Sequence, residues 1–250
     1  MISINAIAYL GKPLYTGHMK KLTRSLVLEI IATGTDMSGT DLSDINLSEL
    51  DLSTVILADS NLNRTNISKT VLVKADLSGS SLTAANLSVA NLTGALLKRC
   101  NLTEADLSFS IMIGASLNNA VLTKANLSLS NLAGAVIRDA SVTGANLQQS
   151  EASASDFSGS LMSHVNAFGA NFSGSSLSGA NLNNSVLTKA DLTGADLSGT
   201  DMRNAELINA NLTAADLTDA DLRGATFTGA NFTRAKIKGV KLDEGVKLSS

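Results

Sequence analysis

The chain has 250 residues, a formal net charge of −3, 3% aromatic residues and one cysteine. A single cysteine excludes a disulfide framework and suits a reducing compartment, so the sequence predicts a cytoplasmic protein. The slightly acidic balance argues against nucleic-acid binding through basic patches, and the absence of an apolar stretch of spanning length predicts no membrane insertion.

The N-terminal end is predicted to precede the main fold. Residues 1–15, which include the only proline, are predicted to be a tail that is disordered or recognised by a partner. The start of this tail is apolar but lacks the basic residues that open a signal peptide, and Met19 is an alternative start of translation. The sequence therefore leaves open whether residues 1–18 are a secretion signal, a tail or untranslated.

Residues 16–34 are predicted to form a short helical cap. Apolar residues in this segment follow helical spacing, and Gly34 is a natural helix stop. A strand is the alternative for residues 26–31, which are rich in β-branched side chains. The apolar residues at helical spacing, with their immediate neighbours, are Met19, Leu22, Leu26, Val27, Ile30 and Ile31.

From Met37 to Leu242, every fifth residue is large and apolar. Forty of these 42 positions, called centres below, hold Leu, Met, Ile, Phe or Val, and the exceptions are Ala152 and Ala167. A period of five fits neither a helix, which repeats at 3.6 residues, nor a strand, which repeats at 2. It does fit a chain that makes a short side and then turns, so that four sides close a coil of about 20 residues and coils stack about 4.8 Å apart.

The positions around each centre also repeat. The residue two before the centre is small in 40 of 42 cases, which predicts a second inward position that fills a narrow bore by alternation of size. The preceding residue is Asp or Asn in 25 cases and the following one is Ser or Thr in 26, and both types bond to local backbone in turns. Gly occupies the second residue after the centre in 15 cases, which predicts a corner with positive φ.

Three runs show the repeat clearly: residues 75–79 (Ala-Asp-Leu-Ser-Gly), 195–199 (Ala-Asp-Leu-Ser-Gly) and 220–224 (Ala-Asp-Leu-Arg-Gly). They resemble the A(D/N)LXX motif of pentapeptide repeat proteins, and the resemblance covers about residues 35–244. It implies a right-handed quadrilateral β-helix, and the run before the first coil resembles the short helix and glycine found there in many members.

The predicted fold class is therefore an all-β solenoid, a right-handed quadrilateral β-helix of about ten coils with a short N-terminal α-helical cap. Its domains are the tail at 1–15, the cap at 16–34, the repeat β-helix at 35–244 and a C-terminal tail at 245–250. Ala167 leaves one centre nearly empty beside Phe168, so we expect a local irregularity at residues 165–169 that turns this ring inward. Ala152 needs no such shift, because Phe172 stacks on it one coil later.

Catalytic signals are absent from the sequence, which predicts no enzyme, no cofactor and no metal site. The two histidines, His18 and His164, are far apart, and the recurrent Asp and Asn residues are explained by turns. Cys100 falls at a small inward position and is predicted to behave as a buried apolar residue.

The informative exceptions are apolar residues at outward positions, which we expect to form one apolar patch that binds a protein partner. A weaker column consists of Ile56, Leu96 and Val136. The residues of the apolar patch are Val71, Val73, Val89, Phe109, Ile111, Ile113 and Leu129.

The sequence favours a non-enzymatic rigid scaffold for protein–protein interaction with an unidentified partner, including self-association through the coil ends or the apolar patch. The resemblance implies two alternatives: a secreted bacterial effector, since some enterobacterial members act in host cells, and a DNA-mimicking binder of DNA gyrase or topoisomerase. Residues 35–233 carry 19 acidic and 10 basic side chains, a much lower charge density than duplex DNA. Gyrase-binding relatives also favour Phe at the centre and dimerise through a C-terminal element that nothing here resembles.

Overall fold

The structure of the protein is a computed structural model that describes residues 21–34 and 36–248. It contains one helix, α1 (Arg24–Thr33), followed by stacked coils. The coils contain no extended strands. Instead, single-residue parallel bridges join residues 20 apart, from the pair Lys21 and Asp41 to the pair Asp221 and Lys241. The expected register of 20 residues is therefore present from the first described bridge to the last.

Each coil is held to the next by two kinds of backbone hydrogen bond. The centre donates to a carbonyl 19 residues later, as from Leu42 N to Asn61 O at 2.7 Å. The bridge residue donates to a carbonyl 21 residues earlier, as from Asn61 N to Thr40 O at 2.9 Å. These bonds fix both the height and the register of every side, so the repeat length is set by pairing as well as by side-chain pattern.

A tight turn closes each corner. The amide three residues after the centre donates to the carbonyl of the centre, as from Ala85 N to Leu82 O at 3.0 Å. The residue before this amide has positive φ, which is typical of type II turns. Gly79 shows the expected use of glycine there with φ 73°, but residues as bulky as Phe109 adopt the same conformation with φ 58°. Stacking therefore imposes the corner on whatever side chain is present.

The core is a column of centres and small residues along the bore. The centres from Met37 to Leu222 are buried, and buried hydroxyls at the small position bond to carbonyl oxygens, as from Ser80 Oγ to Leu57 O at 2.6 Å. At the C-terminal end the burial weakens, and Ile237 is exposed. The rings of Phe227 and Phe232 meet edge to face there, with centroids 5.8 Å apart.

Helix α1 lies against the first coil. Thr23 caps its start by accepting a hydrogen bond from Leu26 N at 3.3 Å, and Gly34 ends it in the left-handed conformation with φ 67°. Gly34 therefore acts as the predicted stop. The helix begins later than the apolar spacing indicates, because Leu22 is buried outside the helix and its amide donates to Asp41 O at 2.8 Å. The predicted tail, Met19 and His18 lie outside the described residues.

The irregularity expected at residues 165–169 is wrong. Ala167 remains a buried centre, and its amide donates to Val186 O at 2.8 Å as in every regular side. Phe168 stays at an outward position, half-buried, with the Lys189 ammonium 5.5 Å from its ring centroid. A shift would have broken the ladder bonds on both neighbouring coils, whereas the ring finds a cation on the outer surface.

The coil with the empty centre contains unusually large neighbours. Its four centres are Phe157, Met162, Ala167 and Phe172, and the two rings meet edge to face with centroids 5.7 Å apart. Phe157 lies on the side opposite Ala167, so a large and a small side chain share one cross-section. The repeat thus tolerates an alanine centre without a change of backbone register.

Candidate functional site

We number the four sides of the coil by their first centres: side 1 from Met37, side 2 from Leu42, side 3 from Leu47 and side 4 from Leu52. Outward positions on each side are the bridge residue before the centre, the residue after it and the corner residue. Every candidate binding residue lies at one of these three positions.

The Asp and Asn residues at the bridge position bond to their own side. Asp216 Oδ1 accepts from Thr218 N at 3.0 Å and from Thr218 Oγ1 at 2.6 Å, and the same pattern recurs along the rod. These oxygens are therefore largely used by the turn, as expected for the repeated Asx and Ser/Thr columns. Within the described residues, no group of three or more His, Cys, Asp or Glu side chains is arranged to hold a metal ion.

Two carboxylates on this column are strongly perturbed by cations. A hydrogen bond from the Lys236 ammonium, 2.8 Å from Asp216 Oδ2, holds the pKa of Asp216 to about 2. Hydrogen bonding from the Arg223 guanidinium likewise lowers the pKa of Asp221 to about 2. Each cation neutralises a surface carboxylate, which stabilises the ionised form without creating an acid or base for chemistry.

Other reactive groups are unsuited to catalysis. Burial raises the pKa of the Cys100 thiol to about 12, and its sulfur donates to Leu77 O at 2.8 Å. His164 is an exposed corner residue on a different coil. A cavity of about 180 Å³ lies between α1 and the first coil, but its lining holds no charged or imidazole group. It is lined by Ile31, Gly34, Leu52, Ser53, Thr54, Val55 and Ile56.

The apolar patch lies on side 4 and on the corner between sides 3 and 4. Val89, Phe109 and Leu129 occupy this corner in three successive coils, with 52%, 57% and 46% of their surfaces exposed. Ile111 and Ile113 flank the centre that follows Phe109 and are also exposed. These five side chains form a ridge with an adjoining step.

Val71 and Val73 lie two coils before Ile111 and Ile113 on the same side. Val71 is exposed, whereas Val73 is half-buried. The coil between them carries Asn91 and Thr93, whose side chains bond to each other at 2.7 Å. The seven predicted residues therefore share one region of surface, but a polar coil separates the two valines from the isoleucines.

The surroundings of the apolar patch carry little charge. Along side 4, the outward positions between Val73 and Glu151 are uncharged, apart from Lys74 at the corner with side 1. Lys69 precedes Val89 on the ridge, one coil below it, and Gln149 follows Leu129, one coil above it. The patch is thus an apolar surface with a cationic lower end and an acidic upper end.

Two further apolar sets are visible. Ile56 and Leu96 of the weaker column on side 1 are exposed, whereas Val136 is half-buried. The sequence analysis missed Leu161 and Val121 on side 2, which are exposed at 53% and 37%. Their signal is present in the sequence, because both replace the usual Asp or Asn at the bridge position.

The comparisons place the chain in a family. The model of the pentapeptide repeats family matches residues 60–99, 100–139, 130–166, 168–204 and 205–243. The chain belongs to the pentapeptide repeat family, as the A(D/N)LXX motif predicted. A search of curated proteins finds no match. No helix among the described residues combines the length and apolar character needed to cross a bilayer.

Several solved structures are similar. HetL of the cyanobacterium Nostoc sp. strain PCC 7120, a pentapeptide repeat protein involved in heterocyst differentiation regulation, is 28% identical over 91% of this chain and 100% of its own, with a TM-score of 0.56. A pentapeptide repeat protein of the Arabidopsis thaliana thylakoid lumen is 32% identical over 43% of this chain and 70% of its own, with a TM-score of 0.24. Full-length QnrB1, a plasmid-mediated fluoroquinolone resistance protein, is 21% identical over 80% of this chain and 94% of its own, with a TM-score of 0.35.

Proposed function

We propose that the protein is a non-enzymatic scaffold, a right-handed quadrilateral β-helix that binds another protein through the apolar patch. The observation that carries the proposal is the exposure of Val89, Phe109 and Leu129 at three successive corners, where they cannot enter the core without breaking the register. Contiguous apolar surface on a protein often marks an interaction site. The likeness to HetL, a protein involved in regulation, supports a regulatory role rather than a catalytic one.

The rigidity of the rod supports a scaffolding role. Backbone bonds to the coils above and below hold each side, so the spacing of the ridge residues is fixed before a partner arrives. A preorganised surface binds without the entropy cost of ordering a loop. The acidic and Asx columns, by contrast, are occupied by bonds to their own side chains and turns.

A pair of matched double variants tests the proposal. Phe109→Asp with Ile113→Asp places two charges on the apolar patch, and Leu161→Asp with Val121→Asp places two on the opposite side of the rod. Both pairs are exposed, so we expect melting temperatures close to that of the parent. In affinity capture from the source cell followed by mass spectrometry, only the patch variant is expected to lose the proteins that the parent retains.

The outcome decides between surfaces. If the opposite-side variant loses the bound proteins and the patch variant keeps them, the partner binds elsewhere and the proposed site is wrong. If the melting temperature of the patch variant collapses, these residues belong to the core. Salt-dependent binding of purified DNA gyrase that survives the patch substitutions would instead favour the DNA-mimicking alternative.

A further inference from the structure

We infer that the occupant of the apolar patch is a second copy of this chain, bound antiparallel about a twofold axis at the coil of Phe109 and Ile111. The inference rests on the proposed function, since it names the partner of the same surface. Three properties of the patch lead to it: its spacing, its uncharged centre and the distribution of charge at its two ends.

The spacing of the ridge matches a copy of itself. Val89, Phe109 and Leu129 repeat at the coil spacing of about 4.8 Å, which a helix with a pitch of 5.4 Å or a strand with side chains about 6.8 Å apart does not reproduce. A twofold axis perpendicular to the rod at Phe109 places Val89 of one copy opposite Leu129 of the other and the two Phe109 rings together. A twofold interface of this kind is isologous, so each copy contributes the same surface.

The ends of the patch are complementary in the antiparallel arrangement. Lys69 lies 40 residues before Phe109, and Glu151 lies 40 residues after Ile111, so each is two coils from the axis on opposite sides. The rotation therefore lays Glu151 of one copy over Val71 of the other, beside Lys69. Both side chains are exposed, and each has a neighbour within its own chain, Glu49 for Lys69 at 3.7 Å and Asn171 for Glu151 at 2.9 Å.

A parallel dimer is excluded by the same charges. A twofold axis along the rod would bring the corner of sides 3 and 4 against the partner's corner of sides 4 and 1, at the same height. Gly94, Gly114 and Gly134 on the second corner would receive the ridge without steric hindrance. However, Lys69 would then face Lys74 of the partner twice, and like charges in direct opposition oppose association.

The size of the surface predicts a weak, reversible dimer. The exposed apolar side chains and their polar border make an interface near the lower limit of about 1,000 Å² for specific association. We therefore expect a dissociation constant on the order of micromolar. The contact is mainly apolar at its centre, so the Phe109→Asp variant is expected to remain monomeric throughout the micromolar range.

Sedimentation equilibrium on three charge variants tests the orientation. Lys69→Glu and Glu151→Lys each create like-charge contacts in an antiparallel homodimer, so each is expected to dimerise about tenfold more weakly than the parent. An equimolar mixture of the two variants restores both pairings across a heterodimer and is expected to recover parental affinity. Circular dichroism should show unchanged folding, because both residues are exposed.

Each result has a definite meaning. Tighter association of Lys69→Glu alone would show the parallel arrangement and overturn the inference, as would a mixture no tighter than its components. A parent that stays monomeric, while the patch variant loses a captured protein of another sequence, overturns the dimer but leaves the proposed function standing. If Phe109→Asp dimerises as the parent does, the second copy does not occupy the apolar patch.

Discussion

The corner glycines fall into two classes that a pair of alanine substitutions should separate. Gly79 and Gly199 both have positive φ, 73° and 64°, so alanine is strained at either position. The strain of a left-handed non-glycine residue is about 1–2 kcal/mol, offset by roughly 0.4–1 kcal/mol from the smaller entropy of the unfolded chain. For Gly199, which has no atom within 4 Å of the added Cβ, we expect a net cost of about 0.5–1 kcal/mol.

Gly79 carries a second constraint. A Cβ there would lie 2.2 Å from Asp59 Oδ1 and 3.3 Å from its Cγ, because Asp59 occupies the same corner one coil earlier and its side chain lies over the glycine. The carboxylate must rotate out of its position, which adds about 0.5–1.5 kcal/mol. Gly79→Ala should therefore cost roughly 1 kcal/mol more than Gly199→Ala.

Urea denaturation followed by circular dichroism measures the difference, and a double-mutant cycle identifies its cause. Asp59→Ala combined with Gly79→Ala removes the displaced carboxylate, so the combined variant should cost about 1 kcal/mol less than the sum of the two single variants. Equal costs for Gly79→Ala and Gly199→Ala, or additive behaviour with Asp59→Ala, would refute the reasoning that the stacked carboxylate, and not φ alone, requires glycine.

Three further predictions concern the core and the surface charges. Ser185 Oγ is buried without a hydrogen-bond partner, whereas Ser175 Oγ donates to a carbonyl at 2.7 Å. Ser185→Ala should therefore stabilise the protein by up to about 1 kcal/mol in urea denaturation, and Ser175→Ala should destabilise it by a similar amount. Ala167→Leu should cost about 1–3 kcal/mol by overpacking, and adding Phe157→Leu on the opposite side of the coil should recover part of that loss; additive losses would show that the two centres do not share space. The folded-state pKa of Asp221, about 2, lies below its ordinary value of 3.8, so its stabilising contribution is present above about pH 4 and is lost as the pH falls to about 2. Asp221→Asn should reduce the acid-induced loss of unfolding free energy over that window, and an identical loss in the variant would contradict this assignment.

The sequence by itself determined the repeat, the inward and outward positions and the family. An apolar residue at every fifth position fits only a short side followed by a turn, and the Asx, hydroxyl and glycine columns follow from the needs of that turn. The same frame located the patch residues on one region of surface, because residues 20 apart must stack once the coil has four sides of five residues.

The tertiary structure decided what a periodic pattern leaves free. Helical spacing placed Leu22 in the cap helix, but its hydrogen bond to the first coil starts the ladder there and delays α1 to Arg24. Local volume suggested that Phe168 would turn inward, yet bonds to the coils above and below hold the register through Ala167. Stacking likewise holds Phe109 in a left-handed corner that its own conformational preference disfavours, because each side is paired along two neighbouring coils and a single residue cannot change the register alone.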